Sequence, residues 1–442
     1  MKTSARATFR VAVVGSGPSG FYAAEALLRS GTRVAVDMFE RLPVPHGLVR
    51  FGVAPDHPKL KQVTSVFDRI ARMPGFRFVG GVRVGEDVAI SELRCHYHAV
   101  IIATGAEEPR LLHIPGEALR GSHSASEFVG WYNGHPEFRD RNFNLDTEVA
   151  VVVGHGNVAL DVARILLGTP EDLARTDIAA HAWRALAASQ VREVHVVGRG
   201  GPKRAKFTEK ELAEFLDLAD SDIGVASEDL AAGDLDVDGV DDVEIRRLLT
   251  LIESLGQRSV VKRRRCLLRF NLGPTAIRGE SRVEGIVFDR TAARAADRSV
   301  IDCGLVISSI GSRSTPIVGV PYDESRGVQA NLGGRVMVEG KHVAGLYVCG
   351  WSKRGPSGTI GTNRGCGVET ANAVISDHSE SASADIADPD ALLDRVAARV
   401  GRIVDFNDWA KIDAAEVARG ARVGKPREKF ASIAEMLAAV AD

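Results

Sequence analysis

Gly15-Ser16-Gly17-Pro18-Ser19-Gly20 follows the apolar run Val11–Val14 directly and opens an alanine- and leucine-rich stretch. Strand, G-x-G-x-x-G turn and helix, in that order, begin a βαβ dinucleotide-binding unit. The first glycine makes the tight turn, the second lets backbone approach a diphosphate, and the third lets the helix pack closely on the strand. The helix N-terminus then offers N–H groups and a positive dipole end to phosphate. Glu40 stands twenty residues beyond Gly20, after the run Arg33–Phe39, where a carboxylate binds an adenosine ribose.

The pattern recurs. Gly154-His155-Gly156-Asn157-Val158-Ala159 follows Val149–Val153, with alanine in the third place. The next apolar run, Glu193–Val197, leads into Gly198-Arg199-Gly200-Gly201-Pro202-Lys203-Arg204. An NAD ribose favours a carboxylate at that strand end. This chain has an arginine, whose planar fork suits a 2′-phosphate, so NADP is favoured over NAD.

Short β-branched runs alternate with longer helical patterns, as in parallel α/β sheets. Runs ending at Ala103-Thr104-Gly105, Ser308-Ser309-Ile310-Gly311 and Val348-Cys349-Gly350 read as the returns that close each sheet. The expected architecture is α/β with two Rossmann-like dinucleotide-binding domains, the second inserted into the first. Residues 1–105 and 326–442 form one domain and 106–325 the other. Asp217–Val243 reads as acidic surface segments, and Ser376–Asp390 as a polar connector.

A chain of 442 residues exceeds a single hydrophobic core. Its net charge of −2 gives no bulk attraction to nucleic acid or to a membrane surface. No run has membrane-spanning length, and MKTSARATFR lacks an apolar signal core and leaves little room for a transit helix, so a soluble cytoplasmic protein is expected. The five cysteines (Cys95, Cys266, Cys303, Cys349, Cys366) contain no C-x-x-C. That spacing argues against a structural zinc or a dithiol centre, and no metal is expected.

The stretch after Glu40, Leu42-Pro43-Val44-Pro45-His46-Gly47-Leu48-Val49-Arg50-Phe51-Gly52-Val53-Ala54-Pro55-Asp56-His57-Pro58, carries the most specific signal. It resembles the adrenodoxin-reductase type of NADPH–ferredoxin reductase, in which G-L-V-R-[FY]-G-V-A-P-D-H covers the FAD. Gly350-Trp351-Ser352-Lys353-Arg354-Gly355-Pro356-Ser357-Gly358-Thr359-Ile360 resembles the family's G-W-x-K-R-G-P-x-G-x-I. The resemblance spans nearly the whole chain and is weakest at Asp217–Val243 and beyond Ser376. It implies a flavoprotein that moves a hydride from NADPH to FAD and single electrons to a ferredoxin-like iron–sulfur protein.

By that resemblance Ser19, Glu40, Leu48, Val84, Trp351, Gly358, Thr359 and Ile360 join Gly15, Gly17 and Gly20 in the FAD site. The NADP set is Gly154, His155, Gly156, Asn157, Val158, Arg199, Gly200, Glu211 and Gly358. A side chain at Gly358 would obstruct nicotinamide stacking on flavin, and a helix starting near Thr359 would aim its positive end at the flavin ring. The family's histidine–glutamate pair beside the nicotinamide aligns with His57 and Glu211, the candidate catalytic residues. One departure concerns the NADP phosphate: the family usually has two consecutive arginines before Gly-Pro, and here Gly200 replaces the second. Lys203, Arg204 or Lys206 are candidates to compensate. A ferredoxin is acidic as a class, so its docking site is expected among Lys203, Arg204, Lys206, Lys210, Arg246, Arg247 and the run Lys262-Arg263-Arg264-Arg265. The competing classes are a dithiol reductase, a relative of the glutamate-synthase small subunit, and a non-catalytic dinucleotide sensor.

Overall fold

A computed structural model describes residues 8–291, 297–380 and 385–441. Two sheets organise the chain. The first has seven strands in the spatial order Asn331–Leu332, Arg335–Val338, Lys341–Val348, Ala99–Ile102, Phe9–Val14, Val34–Glu40 and Phe76–Gly80. The last five pair in parallel. The second has six parallel strands in the order Ser122–Ser124, Leu305–Ser308, Val149–Val153, Glu193–Val197, Arg264–Arg269 and Ser221–Val225. Every strand of the second sheet lies in sequence between Ala99–Ile102 and Asn331–Leu332, so one Rossmann-like unit is inserted into the other.

Both central strands are buried on both faces. Val11 and Val13 join the core under one face of the first sheet, and Ala12 and Val14 the core under the other. In the second sheet Ala150 and Val152 face one core, Val151 and Val153 the other. That alternation is the period of two in a strand, and burial on both sides explains the unbroken apolar runs. Helix Pro18–Leu28 packs on helix Ile360–Glu380 and buries Phe21, Ala23, Ala24 and Leu27 completely. Complete burial of a Phe or Leu side chain stabilises by about 1.5–3 kcal/mol.

Each sheet reverses strand order beside its central strand, and each glycine turn sits at that reversal. The first turn lies between Phe9–Val14 and Ala99–Ile102, the second between Val149–Val153 and Leu305–Ser308. The C-terminal ends of strands at such a switch point leave the crevice that takes a nucleotide in open α/β sheets.

Two compositional readings are corrected. Asp217–Val243 is not only surface: Ser221–Val225 is an edge strand of the second sheet, and buried Asp229 pairs with Arg269 and Arg290. Ser376–Asp390 is not simply a connector, because helix Ile360–Glu380 runs into it and Asp388 caps helix Pro389–Val400. Residues 381–384 of that stretch lie outside the described residues.

The C-terminal residues pack on the loop after Glu40. Leu42, Val44 and Phe51 share a core with Val404, Trp409, Ile412 and Met436. Arg50 from the loop forks onto Glu416, with Nη1 and Nη2 at 2.9 and 2.5 Å from its two oxygens. Lys429 Nζ stands 3.0 Å from Asp177, and Lys61 Nζ 2.6 Å from the same carboxylate.

Candidate active site and dinucleotide sites

Gly15 holds φ +105°, and a Cβ there would lie 2.5 Å from the Ala103 carbonyl oxygen. Gly154 repeats the arrangement, with a Cβ 2.1 Å from the Ser309 carbonyl oxygen. Each first glycine is therefore demanded by the strand that closes its sheet. A Cβ on Gly20 would strike the Gly15 carbonyl oxygen at 2.2 Å, which is the close helix–strand packing expected of the third glycine. Cβ atoms on Gly17 and Gly156 would meet nothing within 4 Å. Both second glycines thus border open space at a helix N-terminus, where a diphosphate fits.

Around the first turn, Ser16 donates to Glu40 Oε2 from Oγ at 2.6 Å and from its N–H at 3.2 Å. The loop after Glu40 folds back onto the turn: His46 N–H donates to Ser16 O at 3.0 Å, and a Cβ on Gly47 would lie 3.1 Å from Gly17 Cα. Leu48 opens the short helix Leu48–Phe51 and is 42% exposed beside the turn. Val84 is half-buried against the core under the first sheet. Ser19 turns its hydroxyl away from the crevice. Its Oγ donates to Asn363 Oδ1 at 2.9 Å, fastening the two packed helices, which leaves the Ser19 backbone for a ligand.

Trp351 starts the short helix Trp351–Arg354, and its indole N–H donates to Ser357 O at 3.0 Å. Gly358 holds φ +80°, and a Cβ there would press on Thr362 at 2.8 Å, so the turn itself requires glycine. Thr359 and Ile360 lead into helix Ile360–Glu380, whose start is exposed. The open face at Gly17, the Glu40 carboxylate and these two helix starts fit a bound FAD.

At the second turn, Asn157 Oδ1 accepts from Thr208 N–H at 2.9 Å, and Val158 is 45% exposed on the first helical turn. His155 does not point into the crevice. Its Nε2 lies 3.2 Å from Val196 O, its ring packs on Phe207 and Phe270, and burial pushes its pKa down to about 4. Only its backbone is left for a nucleotide. Arg199 is exposed at the strand end. The open face at Gly156 and this arginine fit NADP.

His57 and Glu211 do come together, but loosely: Nε2 stands 3.9 Å from Glu211 Oε2 and 2.7 Å from Glu214 Oε2. Arg164 Nη2 lies 2.8 Å from the same nitrogen, and its guanidinium also holds Asp56 (2.5 Å) and Asp161 (2.6 Å). Burial, then Asp161 and Glu214, pushes the Glu211 carboxyl above its usual range, and burial does the same to Asp161. Asp161, Arg164, Asp56 and Glu214 are not among the site residues expected from the sequence. Asp56 adjoins His57 within the covering loop, and Glu214 follows Glu211 by three positions, the spacing that puts two side chains on one helical face. Arg164 shows in sequence only its helical neighbour Asp161, because its other partners, Asp56, His57 and Glu214, converge on it only in three dimensions.

Most of the basic run is already engaged. Lys262 Nζ donates to Leu218 O and Ser221 O, Arg264 to Leu167 O and Gly168 O, and Arg265 pairs with Glu193. Arg246 and Arg247 stay exposed on helix Val243–Gly256. Cys349 and Cys366, distant in sequence, place their sulfurs 4.0 Å apart as free thiols.

Two glycine turns at two switch points, with a histidine from one unit among the arginine and carboxylates of the other, define a two-dinucleotide oxidoreductase. Comparison agrees. The family described as pyridine nucleotide-disulphide oxidoreductase matches residues 9–226. A probable ferredoxin/ferredoxin--NADP reductase of Mycobacterium tuberculosis is 44% identical, over 98% of this chain and 76% of that protein. The mitochondrial NADPH:adrenodoxin oxidoreductase of Arabidopsis thaliana is 39% identical, over 98% and 95%. The structure of Mycobacterium tuberculosis FprA in complex with NADPH superposes with a TM-score of 0.91 at 40% identity, covering 99% of this chain and 100% of that one. The chain belongs to the adrenodoxin-reductase-type NADPH–ferredoxin reductase family.

Proposed function

We propose that this protein oxidises NADPH through a bound FAD and delivers the electrons singly to a ferredoxin-like iron–sulfur protein. FAD supplies a group that accepts a hydride and releases electrons one at a time. The observation that carries the reading is the meeting of His57, from the loop over the first turn, with Arg164, Glu211 and Glu214 from the second unit. A hydride acceptor and a reduced nucleotide bound to separate units react only if those units are held together, and this cluster stands at their junction.

Residues 1–105 and 326–442 are assigned to the FAD domain and 106–325 to the NADP domain. Gly15, Gly17 and Gly20 admit the FAD diphosphate, Glu40 takes its ribose, and Leu48, Val84, Trp351 and Gly358 through Ile360 enclose the rest. Gly154, Gly156, Asn157 and Val158 take the NADP diphosphate, and Arg199 its 2′-phosphate. His57 and the carboxylates orient the nicotinamide end and exclude water. The compartment is assigned as the cytoplasm, and no helix among the described residues is long and apolar enough to cross a membrane.

Anaerobic titration with NADPH should bleach the flavin absorbance of the purified protein. Added oxidised ferredoxin should then restore it. A folded preparation that takes up no FAD, or a flavin that NADPH leaves oxidised, would overturn the reading.

A further inference from the structure

At the strand end after Val197 the backbone carbonyls are pinned, while the side chains of Arg199 and Arg204 are exposed. Leu272 N–H donates to Gly198 O, Asn271 N–H to Gly200 O, and Thr291 Oγ1 to Arg199 O. The chain then turns through a 3₁₀ segment, Pro202–Arg204, and returns to the second glycine turn, where Lys206 and Phe207 N–H both donate to His155 O. A cation on this segment is therefore held between Arg199 and the diphosphate turn.

Arg204 is that cation. A Cβ built on Gly200 would lie 3.0 Å from Arg204 Cβ, 3.0 Å from its Cδ and 3.5 Å from its Cγ. The stem of Arg204 thus runs across the face of Gly200, through the space a side chain at 200 would fill. Arg199 and Arg204 are both exposed, and neither has an ion-pair partner among the described residues. Asp234, whose carboxylate borders Gly201, is held by other donors: its Oδ2 accepts from Ala231 N–H at 2.8 Å and from Asn271 Nδ2 at 2.7 Å.

Building on the NADPH reading above, we propose that Arg204 is the second cation of the 2′-phosphate subsite, reaching across Gly200 to stand beside Arg199. Gly200 is then no loss of selectivity. It is the opening that lets Arg204 through, and an arginine at 200 would compete with Arg204 for one place.

The test is calorimetric binding of adenosine 2′,5′-bisphosphate and of AMP to the FAD-loaded protein. Arg204→Ala should weaken the bisphosphate roughly 10- to 100-fold, the loss of one charge-assisted contact, and leave AMP unchanged. Gly200→Arg alone should change little. Gly200→Arg placed in the Arg204→Ala background should restore most of the lost affinity, because the place is then vacant. Unchanged bisphosphate affinity in Arg204→Ala, or equal weakening of both ligands, would overturn the assignment. Tighter binding in Gly200→Arg with Arg204 intact would overturn it as well. No preference for the bisphosphate in the unmodified protein would instead overturn the NADPH reading, and this assignment with it.

Discussion

His57 points Nε2 at Glu214 Oε2, 2.7 Å away, while Arg164 Nη2 stands 2.8 Å from the same nitrogen. A protonated Nε2 donates to Glu214. An unprotonated one accepts from Arg164. One ring nitrogen cannot do both, so whether Nε2 carries a proton is set by which of these two side chains of the second unit it bonds. Glu214→Gln should slow NADPH-dependent flavin reduction roughly 10- to 100-fold, as expected when a positioning contact at the reacting centre is lost. Glu211→Gln should cost less, and stopped-flow absorbance separates the two. Equal losses would return the pairing to Glu211.

The raised Glu211 carboxyl has a stability consequence. Burial, with Asp161 and Glu214 nearby, favours its neutral form in the fold. A carboxyl raised above its unfolded value contributes stability in acid and loses it as pH rises through the folded value. Glu211→Gln should therefore melt higher than the parent at pH 7 to 8, with the difference closing near pH 4. A constant difference across that range would exclude the effect.

The three glycines of the first turn separate fold from binding. A Cβ on Gly20 strikes the Gly15 carbonyl, whereas one on Gly17 meets nothing. Gly20→Ala should destabilise by about 1–3 kcal/mol in urea unfolding, as overpacking does. Gly17→Val should keep its fold by circular dichroism and lose FAD on gel filtration. Retained FAD in Gly17→Val would move the diphosphate elsewhere.

Arg50 and Glu416 form an ion pair with side chains 4% and 0% exposed, tying the loop over the first turn to helix Phe406–Ala421. Removing one partner of such a pair costs about 3–5 kcal/mol, because the other charge is left buried. Glu416→Ala should lose stability on that scale and release FAD more readily. The double change Arg50→Met with Glu416→Leu should recover most of the stability. A single substitution as mild as a surface change would show that the charge is not buried in solution.

Arg246 and Arg247 are exposed candidates for ferredoxin docking, whereas most of the basic run at 262–265 is spent on internal contacts. Arg246→Glu with Arg247→Glu should lower the rate of ferredoxin reduction about tenfold at low salt. Reduction of a small neutral dye should not change. Equal salt responses for ferredoxin and dye would remove this surface from consideration.

The sequence by itself determined both nucleotide turns, because a glycine turn between a buried strand and a helix is a local solution to a local problem. Gly15 and Gly154 could be placed from their neighbours in sequence, and so could the strands that alternate around Val11–Val14 and Val149–Val153. Family motifs did the same for the loop through His57 and for Trp351 to Ile360. Tertiary structure decided what depends on which side chains face each other across separate elements. It turned Ser19 and His155 inward, because Asn363 and the rings of Phe207 and Phe270 lie there to receive them. It drew Glu214 and Arg164 to His57, and it laid Arg204 across Gly200. Side-chain direction follows from packing, and in each of these sets but Arg204 and Gly200 the partners lie far apart in the chain, those of His57 being joined by the insertion of one unit into the other.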